Sequence, residues 1–97
     1  MRYAIVDNIS GEARYCVNAD SPVGAVERME MDLGMEWRDY DILDRHEMQT
    51  SGDLHGYRVY VAPEDFCFDG DADDVADAIS AMPFAACLIA IPHVGAK

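Results

Sequence analysis

The stretch RYAIVDNISGEARYCVNADSPVGAVERMEMDLG, residues 2–34, decides the fold class. Arg2 to Asp7 and Glu12 to Ala19 read as two strands around a turn at Asn8-Ile9-Ser10-Gly11. In the second, Ala13, Tyr15 and Val17 alternate with Arg14, Cys16 and Asn18, a half-buried pattern. Asp20-Ser21-Pro22 then supplies a helix start, with Asp or Ser as the cap and Pro in the first turn. Val23, Val26, Met29 and Leu33 recur every three or four residues and line one helical face, while Glu27, Arg28, Glu30 and Asp32 fall on the other. Gly34 stops the helix. A hairpin followed by an amphipathic helix predicts an α+β domain.

The remaining elements extend that plan. Tyr40 to Met48 reads as a third strand, although its charges interrupt the alternation. After the loop Thr50-Ser51-Gly52-Asp53, Tyr57, Val59 and Val61 share one face of a clearer strand, which Pro63 ends because it has no N–H for a ladder. A short helix from about Asp71 to Met82 carries the apolar stripe Val75, Ile79 and Met82, with Ala78 beside them, and Pro83 ends it. Ala85 to Ile91 is apolar on both faces and reads as a strand inside the sheet. The predicted order is ββαββαβ, one domain over residues 1–97, with a mainly antiparallel five-stranded sheet and two helices.

Composition sets the class of function. The chain of 97 residues is 51% hydrophobic, too apolar for a disordered acidic tail. Against 19 acidic residues it has 7 basic ones, for a formal charge of −12. Direct nucleic-acid binding needs Lys or Arg to displace counterions from phosphates, and no basic cluster exists here. Anionic membrane surfaces are disfavoured on the same ground. A negative field of this size instead speeds encounter with positive surfaces. The competing reading is that surplus acid only keeps a small domain soluble. No apolar run approaches the length of a membrane helix and no signal peptide opens the chain, so a soluble cytoplasmic protein is expected. Cys16, Cys67 and Cys87 are odd in number and lie among apolar neighbours, as reduced, buried thiols do.

The acid is concentrated. Glu64, Asp65, Asp69, Asp71, Asp73, Asp74 and Asp77 follow one another with no Lys or Arg among them. Asp73 and Asp77, four residues apart on a helix, make a short ladder of charge. The macrodipole accounts for acids in a first helical turn, hence for Asp71, Asp73 and Asp74, but not for Glu64, Asp65, Asp69 and Asp77. Asp69, Asp71 and Asp73 alternate like the start of an EF-hand loop. The Gly and Glu that such a loop requires are replaced by Asp74 and Ser80, so no metal site is expected. A second acidic group, Glu36, Asp39, Asp41 and Asp44, surrounds Trp37 with Arg38 and Arg45 interspersed. Met35 and Trp37 are candidate interface anchors, the alternative being that Trp37 closes the end of the core. His46, His55 and His93 are isolated, and no nucleophile–base pair, Gly-rich phosphate loop or metal-ligating motif is present. Neither catalysis nor a cofactor is expected.

Small size, one α+β domain, strong acidity and the Glu64–Asp77 run together resemble the DNA-mimicking inhibitors of phages and other mobile elements, the anti-CRISPR and antirestriction proteins. That resemblance implies a stoichiometric blocker seated in the DNA-binding channel of a CRISPR effector or restriction enzyme subunit, acting in the host cytoplasm. The partner-binding residues would be Glu64, Asp65, Asp69, Asp71, Asp73, Asp74, Asp77, Glu36, Asp39, Trp37 and Met35. An immunity protein or antitoxin facing a basic nuclease toxin would use the same physics, and an acidic structural domain would need no partner.

Overall fold

A computed structural model describes residues 1–35, 39–50, 52–66 and 72–90. Its elements are β1 (Arg2–Asp7), β2 (Ala13–Asn18), α1 (Pro22–Asp32), β3 (Tyr40–Leu43), α2 (Arg45–Met48), β4 (Gly56–Ala62), α3 (Ala72–Ser80) and β5 (Phe84–Ala90). The strands form a five-stranded sheet in the order β2-β1-β4-β5-β3, with every neighbouring pair antiparallel. The α+β class and the order of strands and major helices agree with the sequence pattern.

Alternate residues of a strand point to opposite faces, and here both faces are covered. On one, α1 packs Ala25, Val26 and Met29 against Tyr3, Ile5, Val59 and Leu88. On the other, Val75, Ile79 and Met82 cover Ala4, Val6 and Ala62. Two helices on opposite faces explain why β1 is buried almost throughout and why Ala86 to Ile89 of β5 is buried on both sides. β5 lies inside the sheet as its composition predicts, although the middle position belongs to β4.

Local chemistry sets the joints. The β1–β2 turn is fixed by Asp7, whose Oδ1 accepts hydrogen bonds from the N–H groups of Ile9 and Ser10, both at 2.9 Å. Ser21, not Asp20, caps α1: its Oγ accepts from the Gly24 N–H at 3.0 Å, with Pro22 opening the helix. Gly34, at φ +67°, ends α1 in a conformation that costs a side chain but not glycine. Gly56 serves a different need. A Cβ there would lie 2.0 Å from the Leu88 carbonyl oxygen, so only glycine lets β4 approach β5 at this point.

Four details depart from the sequence pattern. Tyr40 to Met48 is not one strand. The ladder stops at Leu43, and Asp44 and Glu47 form a reciprocal capping box that starts the single turn of α2. Among the described residues this adds a four-residue helical turn to the two longer helices, α1 and α3, that the sequence predicts. In β2 a register shift opposite Ile5 and Val6 turns Ala13 toward the α3 side, while Tyr15 and Val17 keep to the α1 side, so the three do not share a face. In α1, Leu33 is the C-cap and is exposed, whereas Glu30 is buried and its Oε2 accepts a hydrogen bond from the Tyr40 hydroxyl at 3.1 Å.

Candidate functional site

The acidic segment begins where β4 ends. Pro63 terminates the strand, the Phe66 N–H closes a turn onto the Pro63 carbonyl at 3.0 Å, and Phe66 packs beside the α3 cluster. Glu64 and Asp65, between them, are exposed. Asp69 and Asp71, which open the EF-hand-like alternation, lie outside the described residues. α3 then presents its buried side through Val75 and Ile79, which leaves Asp74 and Asp77 exposed on the outer side and Asp73 exposed at the rim of the cleft between α3 and the sheet. Four helical residues rise about 6 Å, so Asp73 and Asp77 stand one turn apart.

None of Glu64, Asp65, Asp73, Asp74 and Asp77 makes an ion pair or a side-chain hydrogen bond among the described residues; the two ion pairs found there are Arg14–Asp7 and Arg28–Asp32. Two other arginines are engaged elsewhere. Arg2 donates to the Phe66 carbonyl and to Asn18, and the Arg45 guanidinium lies 5.1 Å from the centre of the Phe84 ring.

The second predicted group is elsewhere. Met35 and Asp39 are exposed in the connection between α1 and β3, and Glu36 and Trp37 lie outside the described residues. Met35, whose N–H donates to the Glu30 carbonyl at 2.8 Å, stays with α1 on the face opposite α3, whereas Asp39 immediately precedes the edge strand β3. Asp41 is exposed on the edge strand β3, while Asp44 and Glu47 are occupied in capping α2. Among the described residues, exposed carboxylates thus lie on α3 and its preceding turn, on α1 and along the β3–α2 edge.

Several carboxylates have structural duties. Burial pushes the Asp7 carboxyl up, but the N–H groups of Ser10 and Ile9 and the Arg14 guanidinium outweigh it and hold it below its ordinary value. The Tyr15 hydroxyl, 2.6 Å from Asp32, lowers that carboxyl and is itself raised by it. Burial raises the Cys16 thiol, which is half-buried, and Cys87 is fully buried, as expected of inert thiols. Cys67 lies outside the described residues, as does His93; His46 and His55 are exposed. Among the described residues no group of His, Cys, Asp or Glu could hold a metal ion, and no helix is long and apolar enough to cross a membrane.

One functional candidate escaped the sequence pattern. Arg58 projects from β4 on the α3 side, opposite Val6 on one neighbouring strand and Cys87 on the other. It lines a cleft of about 610 Å³ between α3 and the sheet. The available signal was a lone Arg within the apolar run of β4. Comparison with known proteins finds no matching family model, curated protein or solved structure.

Proposed function

We propose that this protein is a non-catalytic binding domain that sets the carboxylates of α3 and the preceding turn against the basic, nucleic-acid-binding surface of another protein. The partner class is a CRISPR effector or a restriction-type defence enzyme, blocked by occupation of its DNA channel. The observation that carries this reading is the exposed set Asp73, Asp74, Asp77, Glu64 and Asp65, with no ion pair among the described residues. Like charges held this close on a helix weaken it, so a stability argument leaves Asp77 unaccounted for.

The energetics constrain the complex. Exposed charge pairs contribute roughly 0–1 kcal/mol each, so a handful gives only modest affinity in physiological salt. Met35 belongs to the opposite layer and cannot anchor the α3 face, whose exposed apolar residues Ala76 and Ala78 are small. Binding through α3 would therefore be fast and steeply salt-dependent.

The test is capture by the immobilised protein of purified CRISPR effectors and restriction enzymes, with DNA as competitor. The triple variant Asp73→Lys, Asp74→Lys, Asp77→Lys is run beside it. Capture that DNA competes away, and that the triple variant loses while remaining folded, supports the reading. Undiminished capture by the triple variant overturns it.

A further inference from the structure

The cleft beside α3 holds a cation that the fold itself does not satisfy. A partly buried guanidinium normally takes up its shielded donors in fork-like hydrogen bonds or ion pairs. Arg58 does not. Its Nε is shielded from solvent and has no hydrogen-bond partner. One terminal nitrogen reaches the Asp7 carbonyl only at 3.4 Å, a long and weak contact. Arg58 takes part in neither ion pair. The same nitrogen lies 3.6 Å from where a Gly11 Cβ would be, which places the guanidinium against the β1–β2 turn.

The walls of this cleft are apolar, with Val6 and Tyr60 from the sheet and Val75 and Ile79 from α3. Two carboxylates, Glu12 and Asp73, also line it and are exposed. Together these features select a ligand. The two terminal nitrogens offer an end-on fork that matches a planar carboxylate, the shielded Nε taking no part. The apolar walls need an apolar body to cover them. Glu12 and Asp73, on a chain of charge −12, repel anions of higher charge such as phosphates and nucleotides. We propose that this cleft is a binding site for a small monocarboxylate with an apolar or aromatic body, its carboxylate held by Arg58. The proposal is independent of any macromolecular partner, and its test contains none.

The probes are 3-phenylpropionate and its neutral amide, each titrated into isotope-labelled protein while backbone amide shifts are followed. The acid is expected to move the signals of Gly11, Arg58 and Ile79 and to bind about tenfold or more tightly than the amide, as a charge-assisted bond requires. Arg58→Gln should bring acid and amide to parity. Ala76→Trp serves as the second variant, because Ala76 is exposed on α3 and lines the cleft, so a large side chain there blocks the site while Arg58 stays in place. Loss of acid binding in Ala76→Trp is the expected result. The proposal is overturned by equal affinity for acid and amide, by shifts confined to other parts of the molecule, by no shift with either probe, or by undiminished binding in Ala76→Trp.

Discussion

Replacing Asp77 by Lys should make this protein more stable while weakening any complex formed through α3. Asp77 is exposed, one turn after Asp73, in the C-terminal half of a nine-residue helix. At that separation two like charges cost about 0.2–0.5 kcal/mol, and an Asp followed by Lys recovers a similar amount. A cation nearer the C-terminal end of a helix gains a few tenths more from the macrodipole, or about 0.3 kcal/mol. The sum is a gain of roughly 0.7–1.3 kcal/mol, which for a domain of this size raises the melting temperature by roughly 3–10 °C. Thermal unfolding followed by circular dichroism at low salt measures it directly. Repeating the melt at about 1 M salt, where the screening length falls to about 3 Å, should remove most of the difference. Asp73→Lys is the internal control. It removes the same repulsion but puts a cation at the end where a carboxylate is favoured, so its net effect should be near zero or unfavourable. The reasoning is refuted if Asp77→Lys melts at or below the parent temperature, or if its advantage survives high salt.

Gly56→Ala should destabilise by roughly 2–4 kcal/mol, because the new methyl meets backbone of β5 that cannot rotate away; chemical denaturation measures the loss. Leu88→Ala, in the fully buried α1-side cluster, should cost about 2–5 kcal/mol in the same experiment. Asp7→Ala removes the acceptor for two turn N–H groups and should cost about 1–2 kcal/mol at neutral pH. The folded-state pKa of Asp7 is depressed, so its stabilisation is fully present above the unfolded-state value near ~3.9 and disappears as pH falls through the lower folded value. The stability gap between parent and Asp7→Ala should therefore be constant above about pH 4 and narrow as pH falls below it.

Local patterns carried most of the fold. The hairpin, α1, β4 and α3 were legible because each rests on contacts within a few residues: Ser21 with Gly24, Asp7 with Ile9 and Ser10, and the Val75–Ile79 stripe. Leu33 misled because its spacing is helical although it stands at the cap, beyond the turns that pack. Glu30 misled in the other direction, since its burial depends on Tyr40, which a helical wheel does not contain. The capping box Asp44-Arg45-His46-Glu47 was readable, but the apolar Ile42, Leu43 and Met48 favoured a longer strand. The strand order was not legible at all, because pairing β1 with β4 is a long-range choice. The candidate site divided in the same way. The sequence located the exposed α3 carboxylates, but not that Met35 closes the end of α1 on the opposite face of the sheet from them. Arg58 became visible only once α3 was seen to roof it.

The pairing of Arg2 with Ala62 and of Asp7 with Tyr57 sets a timetable for the nascent chain. The hairpin can close on itself and receive α1 soon after both are made. The other edge of β1, however, has no neighbour until residue 62 has been added, and Ala4 and Val6 have no roof until α3 follows. At about 5–20 residues per second, the 44 residues between the end of β2 and the end of β4 take roughly 2–9 seconds to synthesise. Through that interval the half-built sheet offers an open backbone edge beside apolar side chains, and it is then that a chaperone, or a neighbouring nascent copy, could most readily capture it.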